Sequence, residues 1–217
     1  MKVKLKRRRY PGKLIVFEGT DGAGKTTMIA MAKDYLVSIY GAENVIVTKQ
    51  PTDMSRKTKL FQKMMYCKNN RDVDYRAMQL LTLSDRMQHG FEEIETALRA
   101  GKTVVCDRYI YTSVANMSAR GYKNEKWFFQ AAKHILKPDL VFLAYVPPEL
   151  AISRIKARPA EATRHLDERL LKRVAEEFKK LAHSNGFIVL DTAQAPNTAY
   201  EWVEKVLNDK IIKEKRV

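Results

Sequence analysis

Residues 13–28 read KLIVFEGTDGAGKTTM, and the types and spacing in this stretch are those that hold a chain of phosphates. Gly19 is followed by four residues and then Gly24-Lys25-Thr26, the full spacing of a phosphate-binding loop, or P-loop. Glycines let the backbone curl until successive amide N–H groups face one anion, and a following helix N-terminus adds partial positive charge. Gly19, Gly22, Ala23 and Gly24 would line that cradle, continued by Thr26 and Thr27 at the helix start. Lys25 has the length and charge to reach β- and γ-phosphates, and the Thr26 hydroxyl suits Mg²⁺. The setting agrees: Leu14 to Phe17 reads as a buried parallel strand and Lys25 onward as a helix. A chance glycine turn would have neither neighbour. The chemistry indicated is binding of ATP with Mg²⁺ and handling of its terminal phosphate.

Strand and helix signals alternate along the rest of the chain. Strands are expected at 14–18, 44–49, 103–108, 140–146 and 187–190. Helices are expected at 25–40, about 74–100, about 125–136, 148–158, 167–184 and 197–209. Continuous apolar strands between helices imply an α/β fold, a five-stranded parallel sheet with helices on both faces. In such sheets ligands sit at the carboxyl ends of the strands. Those ends read as the P-loop, then Lys49-Gln50-Pro51-Thr52-Asp53, Asp107-Arg108-Tyr109, Pro147-Pro148, and Asp191-Thr192-Ala193-Gln194. Asp107 can organise Mg²⁺ and its waters, and Arg108 can hold a second phosphate beside the first. The alternative for this pair is a surface ion pair.

The 217 residues suffice for one well-buried core and are too few for two ordinary domains. A hydrophobic fraction of 45% and a charged fraction of 30% suit a soluble globular protein. No apolar stretch reaches membrane-spanning length, and the basic start MKVKLKRRRY lacks the apolar region of a secretory signal. Cys67 and Cys106 are the only cysteines, which favours a reduced, cytoplasmic protein over a disulfide-bonded one. Part of the net charge of +15 lies in KVKLKRRR and KIIKEKRV, read as solvated, mobile arms at 1–12 and 210–217 flanking a body at 13–209. What remains suits a site for several phosphates. Nucleic-acid binding rests on charge alone, without zinc-finger spacing or an aromatic-basic RNP pattern.

The order of motifs resembles the thymidylate kinase family of nucleoside monophosphate kinases, a P-loop NTPase fold. The matching pieces are FEGTDGAGKTT (17–27), LLTLSDRMQH (80–89), TVVCDRYIYTSVA (103–115), PDLVFLAYVPPELAISRIKAR (138–158) and VLDTAQ (189–194). The resemblance implies transfer of the ATP γ-phosphoryl group to a nucleoside monophosphate, dTMP above others, and a homodimer built from long helices. It implies that Asp21 lies near the acceptor's sugar and phosphate, Arg86 reads its base, Arg108 holds its phosphate, and Ser113 approaches the base. It also implies that Arg154 stacks on adenine, that Gln194 belongs to the ATP side, and that 158–166 is a lid. Some family members carry a catalytic arginine inside the P-loop. Gly22 stands there in this chain, so the lid residues Arg158 and Arg164 are the arginines available.

The acceptor side departs from the family pattern at three places. Thr82 stands where a base-stacking phenylalanine is usual, Asn116 where an aromatic residue walls the sugar, and KQPTD where an arginine-bearing loop is usual. Pro51 and Thr82 nonetheless fall where substrate contacts are expected. Lys49 or Arg56 could replace the arginine, and Tyr111, Phe61 or Tyr66 the ring. A kinase of the same fold acting on another nucleotide or phosphorylated metabolite is therefore a second reading. A third is a non-catalytic P-loop protein whose basic arms bind nucleic acid. His89, His134, His165 and His183 lack metal-ligand spacing. Trp127, Phe128 and Phe129 read as core or a dimer face, and Met64, Met65, Met78 and Met87 as core filler.

Overall fold

Five apolar runs lie side by side as parallel strands in the order β2-β3-β1-β4-β5. The computed structural model describes residues 2–67, 72–159 and 166–212. Along the chain these are β1 (Lys13–Glu18), α1 (Lys25–Tyr40), β2 (Val45–Lys49), α2 (Asp53–Arg56), α3 (Lys59–Tyr66) and α4 (Tyr75–His89). A π-helical stretch (Gly90–Glu95) leads into α5 (Thr96–Arg99), β3 (Thr103–Asp107), α6 (Ile110–Ala119) and α7 (Lys126–Ala132). Then come β4 (Leu140–Tyr145), α8 (Pro148–Lys156), α9 (Glu168–Asn185), β5 (Ile188–Asp191) and α10 (Pro196–Leu207), closed by a π-helical turn (Asn208–Ile212).

β1 lies at the centre, paired with β3 on one side and β4 on the other, so the P-loop leaves the sheet where the strand order reverses. The register levels the strand ends: Phe17 is opposite both Asp107 and Phe142, and Asp107 is opposite Lys49. Side chains alternate across the sheet because the strand period is two. Leu14 and Val16 join the core beneath α4, α6 and α9, while Ile15 and Phe17 face α1 and α10. Phe17 and Phe142 stack with ring centroids 4.9 Å apart.

The five expected strands are present to within one residue at either end. α2, α3 and α6 were not expected, and the long helix expected at 74–100 is three successive segments. β3 stops at Asp107 because Arg108 adopts a left-handed conformation, φ 65°. The N-terminal residues do not form a solvated arm. Lys6 N–H donates to Ile135 O at 2.8 Å and its carbonyl accepts from Lys137 at 2.8 Å, while Val3 is only 8% exposed. The backbone of Val3 also donates to Asn185 Oδ1 at 2.8 Å, so this segment ties the stretch after α7 to the end of α9. At the other end Ile211 is buried against the α1–α10 core and Ile212 is only 6% exposed, which carries the body past 209; residues 213–217 lie outside the described residues. Phe128 is core. Met78 is core as expected, but Met87 is 40% exposed. No helix among the described residues is long and apolar enough to cross a membrane.

Candidate active site

The P-loop leaves β1 in a conformation that only glycine supports at two positions. Gly19 has φ 140° and a Cβ there would meet Ala144 O at 2.4 Å; Gly22 has φ 77° and its Cβ would meet Ala151 O at 2.4 Å. Position 22 therefore has no space for an arginine or any other side chain. Lys25, buried at the start of α1, donates through Nζ to Thr20 O at 2.8 Å and Gly19 O at 3.1 Å. Burial lowers its pKa to about 8, helped by the Arg108 charge and opposed by Asp21, Asp107 and Glu18. Thr26 and Thr27 are exposed on the same first turn.

On one side of the loop α8 and the end of β5 close against it. Arg154 reaches Thr192 O at 3.1 Å and Gly22 O at 3.5 Å, and the Thr192 hydroxyl donates to Ala23 O at 2.7 Å. Arg154 thus lies beside the P-loop. Gln194 does not reach the loop: it is exposed and its amide bonds Asp191 Oδ2 at 2.9 Å. Arg158 is exposed just beyond α8. Arg164 and the rest of 160–165 lie outside the described residues.

On the other side of the loop opens a cavity of about 390 Å³. Asp21, Pro51, Thr82, Arg86, Arg108, Ser113 and Asn116, all singled out from the sequence for the acceptor, line it together. Arg108 spans from cavity to loop. Its guanidinium donates to Gly19 O at 2.9 Å and to Asp21 Oδ1 at 2.5 Å, so its ion-pair partner is Asp21 and not Asp107. The left-handed backbone at 108 turns this side chain back over the end of β1, at a cost on the order of 1 kcal/mol for a non-glycine residue. Asp107 has one buried carboxylate oxygen without a hydrogen-bond partner among the described residues.

The candidates for the missing arginine and ring differ in where the fold puts them. Arg56 lines the cavity, donating through Nε to Pro51 O at 2.7 Å, with its guanidinium 5.6 Å from the Phe61 ring. Lys49 is exposed. Phe61 lines the cavity; Tyr111 instead packs on Phe187 at 4.7 Å, and Tyr66 is exposed. Met64 and Met65 belong to the cavity wall. Asp85 holds the loop after β2 by accepting from Thr52 N–H at 3.0 Å and Ser55 N–H at 2.9 Å.

Several residues of the site went unremarked in the sequence: Glu18, Gln79, Tyr75, Thr112 and Arg120. Glu18 is fully buried at the end of β1. Its carboxylate accepts from the backbone of Tyr109 at 2.9 Å and Thr112 at 3.0 Å, and from the Thr112 hydroxyl at 2.6 Å. It thereby caps α6, whose own N-cap, Tyr109, offers no side-chain cap. Burial raises the Glu18 pKa to about 7 against those hydrogen bonds and the Arg108 and Arg86 charges. Its place directly before the P-loop glycine was the only available signal.

The family model "Thymidylate kinase" matches residues 17–201. A thymidylate kinase from Desulfotalea psychrophila is 35% identical over 190 residues, covering 85% of this chain and 91% of that protein. A probable thymidylate kinase from Staphylothermus marinus is 31% identical, covering 93% of this chain and 97% of that one. The crystal structure of thymidylate kinase from Ehrlichia chaffeensis superposes with a TM-score of 0.66 at 25% identity, covering 90% of this chain and 98% of that chain.

Proposed function

The chain belongs to the thymidylate kinase family, and on that premise we propose how its residues divide the transfer of the ATP γ-phosphoryl group to dTMP. The observation that carries the division is Arg108, which bonds the P-loop carbonyl of Gly19 and lines the neighbouring cavity. ATP takes the P-loop. Gly22, Ala23, Gly24, Thr26 and Thr27 supply main-chain donors to its phosphates, and Lys25 exchanges its carbonyl partners for β- and γ-oxygens. Arg154 lies against the adenine side, supported by its bonds to Gly22 O and Thr192 O. dTMP takes the cavity, its phosphate on Arg108, its sugar beside Asp21 and Asn116, its base toward Arg86, Ser113 and Thr82. Arg56 adds a second positive group near the acceptor phosphate.

A phosphate oxygen of dTMP attacks the γ-phosphorus; that P–O bond forms as the bond to the β–γ bridging oxygen breaks, leaving ADP and dTDP. The nucleophile is already anionic, so no side chain needs to take a proton, and Asp21 positions the acceptor. Charge spreading over the phosphoryl oxygens is met by Lys25 and Arg108. Gly22 has no room for a further cation, which supports Arg158, just beyond α8, as an added source of positive charge.

Mg²⁺ fits the residues present: Asp107 has an unpartnered buried oxygen level with the P-loop, and the Thr26 hydroxyl is exposed at the start of α1. When bound it would neutralise part of the β- and γ-phosphate charge. A homodimer is supported by Leu80, Met87 and Phe91, exposed at 56%, 40% and 71% along one stripe of α4 and its π-helical extension. A reducing, cytoplasmic setting is supported by free Cys67 and Cys106.

Incubation with ATP, Mg²⁺ and a panel of nucleoside monophosphates tests the reading by the diphosphate that accumulates. The expected product is dTDP. Absence of any diphosphate, or full activity in Lys25→Ala, would sink it.

A further inference from the structure

One face of α4 presents Gln79, Thr82 and Arg86 to the cavity, at the i, i+3 and i+7 positions that align along a helix. Gln79 is 3% exposed and Arg86 2%. Arg86 bonds Thr82 O through Nη1 at 3.0 Å, while its Nε is buried without a hydrogen-bond partner among the described residues. Gln79 Oε1 is buried and unpartnered in the same way. Polar atoms left so are uncommon in folded chains, and two on the wall of one cavity point to a ligand that completes them.

Their order along the wall states what that ligand must offer. Arg86 reaches back one turn, as helical side chains do, so its guanidinium lies level with Thr82, one turn from Gln79. Thr82 is small and its hydroxyl bonds Gln79 O at 3.3 Å, so no ring stands between the two polar groups. The wall therefore presents a donor followed by an acceptor. A planar ring with a carbonyl next to an N–H satisfies both, and thymine does so with O4 and N3–H. Cytosine presents an amino group and a bare ring nitrogen there, reversing both contacts.

Resting on the reading that dTMP occupies this cavity, we propose that Gln79 is a specificity-determining residue, accepting the imide N–H of the base while Arg86 donates to the adjacent carbonyl. The small Thr82 allows this edge-on recognition, with Phe61 and Tyr75 bounding the same cavity. An amide can present either end, and the imide fixes its oxygen toward the base.

Steady-state kinetics of the full chain with dTMP, dCMP and N3-methyl-dTMP tests the assignment. Gln79→Met, of similar length and without polar atoms, is expected to raise KM for dTMP about tenfold, leave KM for ATP unchanged, and narrow the preference over dCMP. Gln79→Glu, which keeps an acceptor oxygen, is expected to recover that preference. The methylated substrate needs no variant: it is expected to lose at least about tenfold in kcat/KM with the wild-type enzyme. Equal use of dTMP and N3-methyl-dTMP by the wild type, or an unchanged preference in Gln79→Met, overturns the Gln79 assignment while leaving the kinase reading intact. A wild type that phosphorylates no nucleoside monophosphate overturns the kinase reading, and this proposal with it.

Discussion

At the scale of single residues, Arg108 carries two separable burdens. Its guanidinium lines the cavity beside the P-loop, and its backbone occupies a region that non-glycine residues avoid. Arg108→Ala is expected to lower kcat/KM for dTMP by roughly 10²–10³ with ATP affinity retained, the loss of a charge-assisted contact in a water-poor site. Arg108→Gly should lose the same activity yet melt higher than Arg108→Ala, because only the glycine relaxes the left-handed backbone. Equal melting temperatures for the two variants would contradict that account. Lys25 gives a second measurement. With a pKa of about 8 it is largely neutral at pH 9, and a bound triphosphate favours its charged form. ATP binding at pH 9 is therefore expected to take up a proton, seen by calorimetry in buffers of different ionisation heat. The uptake should vanish in Lys25→Met.

At the scale of elements, α6 depends on a residue outside it. Glu18→Ala removes the acceptor for two backbone N–H groups and is expected to cost about 1–3 kcal/mol, with KM for dTMP raised because Ser113 and Asn116 ride on that helix. Glu18→Gln keeps an oxygen for both N–H groups and should retain most stability. Wild type and Glu18→Gln also differ in pH dependence. The folded chain holds the Glu18 proton up to about pH 7, whereas a free glutamate carboxyl loses it near 4.5. Between those values the folded state binds more protons, so this group makes stability fall as pH rises from about 4.5 to 7 and adds no slope above. Denaturant titrations across that range should show the slope in wild type and not in Glu18→Gln.

The same helix shows where the sequence was legible. The strands were readable because each is a short apolar run bounded by turn residues. α6 was not, because IYTSVANMSA is buried on most sides and shows no polar face, so its periodicity is hidden. Asp21, Arg86, Arg108, Ser113 and Asn116 were singled out by motif resemblance, and they line one cavity. Gln79 and Glu18 left no mark, because what distinguishes them is burial and missing or distant partners, and a linear string records neither. The dense basic start suggested solvation, yet its backbone bonds and Val3 outweigh its exposed lysines.

At the scale of the whole molecule, the N-terminal segment and the stripe on α4 each make a prediction. Removal of residues 1–6 breaks the bonds to the stretch after α7 and to the end of α9 and is expected to lower the melting temperature by several degrees, with activity kept at low temperature. An unchanged melting temperature would mean that this docking contributes nothing. Phe91→Asp places a charge on the most exposed residue of the stripe and should turn a dimer into monomers in sedimentation experiments. A wild type that sediments as a monomer at high concentration would remove the stripe as an association surface.

The short Asp21–Arg108 contact has a consequence for what the enzyme ignores. Thymidine itself, carrying no anion, has nothing with which to draw the guanidinium away from its carboxylate neighbour. A ligand bearing two negative charges does. On the proposed assignment the pairing would act as a chemical password: thymidine is expected to be a poor substrate even where it matches the base pocket, and dTMP to be accepted through its phosphate.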